Sequence, residues 1–341
     1  MELALYAPGM GYYERQKEIG RYGDFFTSVS VGPLFGELLA FQFAEWLGGE
    51  KCLDRVQLIE AGAHQGALAA DILGWLERRR PHLYSRVEYI VVEPSTNHRA
   101  WQEDKLRAWG AKIKWVTDMG EIGASPAKRI VFGNELLDAM PVHRLVWDRG
   151  ESAWKECYVA GKNGTFSWQR GAVSPEVAGA LPVIGPELAE VLPDGFVIEH
   201  SPAAVAWWRN AAKRVGQGKL LTFDYGYTSD EQFRPERSNG TLRTFGQHHA
   251  GGDLLEKPGE LDITAHVNFT AIEAAGRAAG LATEAFMEQG KYLTQILART
   301  QAAPDGFDPW TPARTRQFQT LTHPGHLGHA FRMLVQNTGR S

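Results

Sequence analysis

The stretch Arg55–Gly66, RVQLIEAGAHQG, constrains the fold more than any other part of the chain. Val56, Leu58 and Ile59 form a short apolar run, the pattern of a buried strand. Glu60 closes it, and a turn carrying Gly62 and Gly66 follows. The spacing then predicts a helix over 67–80, with Leu68, Ile72 and Leu76 on one face and Leu73 beside them. A glycine turn lets backbone approach a ligand closely, and the start of a helix offers free N–H groups. The next apolar run, 87–92 (VEYIVV), ends in Glu93. An acidic residue at such a strand tip suits the two hydroxyls of a ribose.

The dinucleotide fingerprint is excluded. It needs Gly-x-Gly-x-x-Gly, whereas His64 stands between Gly62 and Gly66 and position 67 is alanine. Glu93 also lies too far downstream for that pattern, which expects an acid about 20 residues on. One acid before the glycine turn and another after the second strand is instead the pattern of class I S-adenosylmethionine-dependent methyltransferases. A nicotinamide oxidoreductase therefore ranks below a methyltransferase.

Composition removes other classes. At 43% hydrophobic and 22% charged residues, the chain of 341 residues can bury a core. A net charge of -4 argues against a broad grip on nucleic acid. Cys52 and Cys157 are too few for a disulfide framework or a cysteine metal cluster, which points to a reducing compartment, taken as the cytoplasm. No apolar run reaches the ~18 residues of a membrane-spanning helix. The N-terminal MELALYAPGMGYY does not read as a secretory signal.

Met1–Tyr6 reads as the end of an amphipathic helix whose start lies upstream. A helix is expected over 34–47, ended by Gly48-Gly49. The first α/β half runs through strand 55–60, helix 67–80, strand 87–93, helix 96–109 and strands 111–116 and 129–132. After Pro141 come short strands at 143–147, 154–159 and 165–168, read as an antiparallel insertion, and a helix at 186–191. Helix 201–215 and strand 219–223 resume the core, then helix 267–279 and a mixed α/β end. This divides the chain into an N-terminal extension with a lid-like loop (1–50), the first part of the core (51–142), the insertion (143–200) and the remainder (201–341).

The segment Asn134–Pro141, NELLDAMP, carries the most chemistry. Asn134 would end a central strand, where open α/β sheets bind ligands. Glu135 and Asp138 are three apart, so a helical turn would put both carboxylates on one face, suited to a cationic acceptor such as a guanidinium. Alternatively, Asn134 caps a helix and the acids sit in its first turn. In Gly20–Ser28, GRYGDFFTS, Asp24, Thr27 and Ser28 could meet a cofactor or cap backbone groups of the loop. Asp224-Tyr225-Gly226 also ends a strand. His323, His326 and His329 read as surface histidines, because Pro324, Gly325 and Gly328 interrupt a helix, and His248-His249 as a loop pair. No metal site is expected.

Six pieces of the chain, in order, resemble the MidA-like family of S-adenosylmethionine-dependent methyltransferases. They are LYAPGMGYY (5–13), GRYGDFFTS (20–28), LIEAGAHQG (58–66), GNELLDAMPV (133–142), FDYG (223–226) and PGELDITAHVNF (258–269). The resemblance implies a Rossmann-like class I core with a mostly parallel sheet, and S-adenosylmethionine as cofactor. It implies a cofactor site using Glu60, Gly62, His64, Gly66 and Glu93, with Asp24, Thr27 and Ser28 in the lid. Asn134, Glu135 and Asp138 become the catalytic candidates. Through its mitochondrial members, tied to respiratory complex I assembly, it implies arginine on a protein as acceptor and a respiratory complex subunit as partner. Two departures stand out. The family's turn reads Glu-x-Gly-x-Gly-x-Gly, with glycine where this chain has His64, and Asn268 replaces a more usual aspartate. His64 leaves a rival reading open: a catalytically silent assembly protein that keeps the fold.

Overall fold

The computed structural model describes residues 1–15, 27–48, 51–52, 54–246, 249–250, 253–302 and 306–339. Its strands, in chain order, begin with β1 (Val56–Ala61), β2 (Val87–Val92), β3 (Ile113–Val116) and β4 (Lys128–Asn134). Next come β5 (His143–Asp148), β6 (Ala153–Lys162), β7 (Thr165–Gly171), β8 (Val197–His200) and β9 (Gln217–Tyr227). The last are β10 (Arg243–Gly246), β11 (His249–Ala250), β12 (Asp262–Thr264), β13 (Val267–Asn268), β14 (Ala282–Glu288) and β15 (Phe331–Asn337). The chain forms two compact units.

The larger unit comprises residues 16–136, 208–225 and 273–341. Its sheet has the order β14-β15-β9-β4-β1-β2-β3. The strands from β9 to β3 are parallel, and β15 enters antiparallel between β9 and β14. Strand order reverses between β1 and β4, so their carboxyl ends flank a switch point, the place where such sheets bind ligands. Ala61 pairs with Gly133 there, which brings Gly62 and Asn134 to adjacent tips. β1 is buried along nearly its whole length, as a central parallel strand must be. The helix Leu34–Leu47 buries residues on every side, with Phe35, Leu38, Leu39 and Phe43 fully enclosed, and packs with the helix Ala67–Arg79. Such a helix owes its stability to tertiary packing more than to propensity.

The smaller unit comprises residues 1–15, 137–207 and 226–272. Its antiparallel sheet has the order β7-β6-β5-β8. The inserted sheet thus holds one strand beyond the three that sequence suggests. The short run FVIEH gives β8 little alternation to reveal it, but pairing with β5 buries Val197, Ile198 and Glu199. Leu145, Trp147, Trp154, Phe196 and Ile198 form its core. A second, three-stranded sheet, β11-β10-β12, lies in the same unit, and β13 runs parallel to the end of β9 through Val267–Gly226 and Asn268–Tyr227.

Candidate active site

The turn after β1 holds three residues at positive φ: Gly62 (+73°), His64 (+45°) and Gly66 (+80°). A Cβ at Gly62 would also come within 2.9 Å of the Leu136 side chain, and one at Gly66 within 2.9 Å of Leu106. Both glycines are therefore fixed by backbone angle and by space. The Gly66 N–H donates to the Ala63 carbonyl (2.7 Å), closing the turn, and Gly66 then caps the helix Ala67–Arg79. His64 occupies a left-handed conformation that is uncommon for a side-chain-bearing residue. Its ring packs edge-on against His98 (5.4 Å between ring centres) and Trp101 (5.9 Å), which stack on each other. The side chain that replaces the family's glycine thus rests on the helix Thr96–Lys105.

Glu60 lies inside β1, almost wholly buried, and its Oε2 accepts the Tyr89 hydroxyl at 2.5 Å. Burial pushes its pKa up to about 7, only partly offset by that hydrogen bond, with Asp71 adding a like charge. Glu93 lies just beyond β2. Its Oε1 accepts the Ser95 N–H (2.9 Å) and its Oε2 accepts the Gln102 amide (2.9 Å), with His98 Nδ1 at 3.4 Å from Oε2. A carboxylate has about four acceptor positions, so these donors leave it capacity for hydroxyls.

The tip of β4 departs from the expected geometry. Residues 135–140 form bends and a turn, so Glu135 and Asp138 do not share a helical face. Glu135 has φ +53°, and its N–H donates to the Phe223 carbonyl of β9 (2.9 Å). A hydrogen bond back to the sheet thus holds the chain in a conformation that a helical reading does not contain. The Glu135 Oε1 accepts the Ser28 N–H (3.0 Å) and the Asn134 amide (2.9 Å). The next N–H, of Leu136, donates to the buried Asp224 carboxylate (3.2 Å). Asn134 keeps a buried Oδ1 with no hydrogen-bond partner among the described residues. An orphaned acceptor at a strand tip is costly unless a ligand donor meets it.

The remaining candidates make contacts of their own. Asp138 is buried in the smaller unit, and its carbonyl accepts the Ala265 N–H (2.9 Å). Thr27 exchanges hydrogen bonds with Ser30, and the buried Ser28 hydroxyl donates to Gln289 (3.1 Å). Asp24, Gly49 and His248 fall outside the described residues. His329 pairs with Glu288 (2.9 Å), and the rings of His323 and His326 lie 5.3 Å apart. Sequence reading missed Gln102, Ser95 and Trp115. Ser95 has the signature of a helix N-cap, but a buried glutamine on a polar helix carries no pattern.

The family model described as "Putative S-adenosyl-L-methionine-dependent methyltransferase" matches residues 38–287. The chain belongs to this methyltransferase family. A crystal structure from Burkholderia thailandensis bound to S-adenosyl-homocysteine is 30% identical, covers 98% of this chain and 86% of its own, and superposes with a TM-score of 0.82. Curated relatives named protein arginine methyltransferase NDUFAF7, mitochondrial, or its homolog, are similar to this chain. The Drosophila melanogaster protein is 26% identical over 99% of this chain and 80% of its own. The Danio rerio protein is 25% identical over 100% and 83%.

As a member of the family, the chain is an S-adenosylmethionine-dependent methyltransferase with the class I fold. The expectation of a cytoplasmic protein is corrected by the same comparison, because the relatives are named mitochondrial. A reducing environment, which is all that two free cysteines indicate, does not single out the cytoplasm. No helix among the described residues is long and apolar enough to cross a membrane. The residues present fit the methyltransferase cofactor: a turn whose glycines admit no side chain, a helix start beside it, and a tethered carboxylate at the next strand tip.

Proposed function

We propose that this chain methylates a guanidinium nitrogen of arginine on a partner protein, with a respiratory complex subunit as the partner class. The observation that carries the reading is the buried Oδ1 of Asn134 at the β4 tip, which has no hydrogen-bond partner among the described residues. The names of the curated relatives supply the acceptor. When bound, S-adenosylmethionine supplies a methyl group activated by its sulfonium. Glu93 would accept the ribose hydroxyls, and the Gly62–Gly66 backbone would lie against the ligand. Asn134 Oδ1 would accept an N–H of the guanidinium and so hold the acceptor nitrogen toward the methyl group. Transfer would form the C–N bond, break the methyl–sulfur bond and release the nitrogen's proton to solvent. Glu135, at +53° and pinned by Ser28, holds the Asn134 amide in that orientation. Glu60 sits behind the turn and supports β1 through Tyr89. Catalysis of this kind comes mainly from orientation and a charge-matched site.

The silent-assembly alternative drew its support from His64. Edge-on packing of that ring against His98 and Trp101 removes the need to regard it as filling a lost ligand's place. Mass spectrometry of the host proteome, with and without the gene, tests the reading. A protein should lose methyl-arginine when the gene is deleted, and regain it with the wild-type gene but not with Asn134→Leu. Loss of the mark only from lysine, a carboxyl group or a small metabolite would refute the arginine acceptor. No lost mark at all would return the silent protein to the front.

A further inference from the structure

Gln102 is fully buried on the helix Thr96–Lys105, and its side chain reaches three different structures. Its Nε2 donates to the His64 carbonyl in the turn after β1 (2.9 Å) and to Glu93 Oε2 beyond β2 (2.9 Å). Its Oε1 accepts the indole N–H of Trp115 on β3 (3.0 Å). An indole nitrogen can only donate, so Trp115 decides which end of the amide is oxygen and aims both amide hydrogens at the other two partners. One side chain therefore ties together the tips of three adjacent parallel strands.

Resting on the reading of Glu93 as the ribose ligand, we infer that Gln102 is a positioning residue. It sets the Glu93 carboxylate and the glycine turn in fixed register before the cofactor arrives, with Trp115 locking its orientation. The chemistry argues for this role beyond plain core packing. A carboxylate with a free terminal torsion would have to be ordered when ligand binds, and that cost falls on affinity. Gln102 holds one of its oxygens, and Ser95 the other, so the ordering is done on folding. The same amide fixes the His64 carbonyl, which restrains the one non-glycine left-handed residue of the turn.

The test is calorimetric titration with S-adenosylhomocysteine and with an analogue lacking both ribose hydroxyls, on variants whose melting curves establish folding. Gln102→Leu should weaken S-adenosylhomocysteine about ten- to hundredfold, the range for losing a hydrogen bond to a charged group. It should change the affinity of the deoxy analogue much less. In a Glu93→Ala background, Gln102→Leu should cost several-fold less than it does in the wild type, because only its hold on the glycine turn is left to lose. Trp115→Phe keeps the ring but frees the amide to flip, and should give an intermediate loss of about threefold or more even if Gln102→Leu does not fold. Full additivity of Gln102→Leu and Glu93→Ala would overturn the positioning role while leaving Glu93 as a ligand. Equal losses for both ligands, or no loss in folded Trp115→Phe, would overturn it as well. An unchanged affinity in folded Glu93→Ala would overturn this inference together with the ribose reading.

Discussion

Glu60 and Glu93 stand at the ends of adjacent parallel strands, both almost completely buried, yet they are held in opposite ways. Among the described residues Glu60 receives one neutral hydroxyl, from Tyr89, and burial pushes its carboxyl up to about 7, with Asp71 adding a like charge. Glu93 receives a backbone N–H, a side-chain amide and a nearby imidazole. Burial is similar for both, and they differ in the number and kind of donors around them. A carboxylate already supplied with donors can face a ligand without first paying to lose its water. For one that is desolvated with few donors, we propose a role in the framework behind the site rather than a contact with the cofactor.

The sharpest way to break this contrast is Glu93→Ala. It should weaken S-adenosylhomocysteine by about 2–3 kcal/mol, measured by titration calorimetry, and lower the melting temperature by a few degrees because the Ser95 and Gln102 donors lose their acceptor. An affinity loss of the same size from Glu60→Gln would erase the distinction between the two acids.

Glu60→Gln should instead act on stability. A carboxyl whose folded pKa is raised binds its proton more tightly in the native state than in the unfolded one. Stability from this group is then full below the unfolded pKa and is lost as pH rises to about 7. Asp71, pushed up to about 6, contributes with the same sign. Glutamine keeps an acceptor for Tyr89 and carries no charge. The variant should therefore match the wild type near pH 5 and exceed it near pH 8 by about 2 kcal/mol, seen as a few degrees in thermal unfolding. Equal melting temperatures at both pH values would show that Glu60 does not resist ionisation.

The smallest effect is expected from His64→Gly. Glycine relieves the cost of φ +45° but gives up ring contacts with His98 and Trp101. The carbonyl that Gln102 grips is backbone and survives the change. Affinity for S-adenosylhomocysteine should fall by less than about threefold. A tenfold loss would mean that the imidazole itself contacts the ligand, and a tenfold gain that it obstructs the site.

The strand–turn–helix of residues 56–79 was legible because its signals are local. Apolar runs set the strands, and a glycine that must take positive φ sets the turn. The helix 34–47 was found at its full extent for the same reason: its apolar residues are contiguous. The β4 tip was not legible. NELLDAMP has helix-compatible spacing, and the turn it adopts depends on the Phe223 carbonyl and the Asp224 carboxylate, almost ninety positions away in the chain. Ser28 and Glu135 likewise meet only through the fold.

The sequence by itself determined the order of the elements, the glycine turn and the acidic strand ends, because backbone angles and hydrophobic periodicity are written in neighbouring residues. Tertiary structure alone decided, among the described residues, which acid is tethered by several donors and which is buried with one, and that Asn134 keeps an unpartnered oxygen. It also decided that Gln102 joins three strand tips. Donors and desolvation come from side chains distant in sequence, and no local spacing records them.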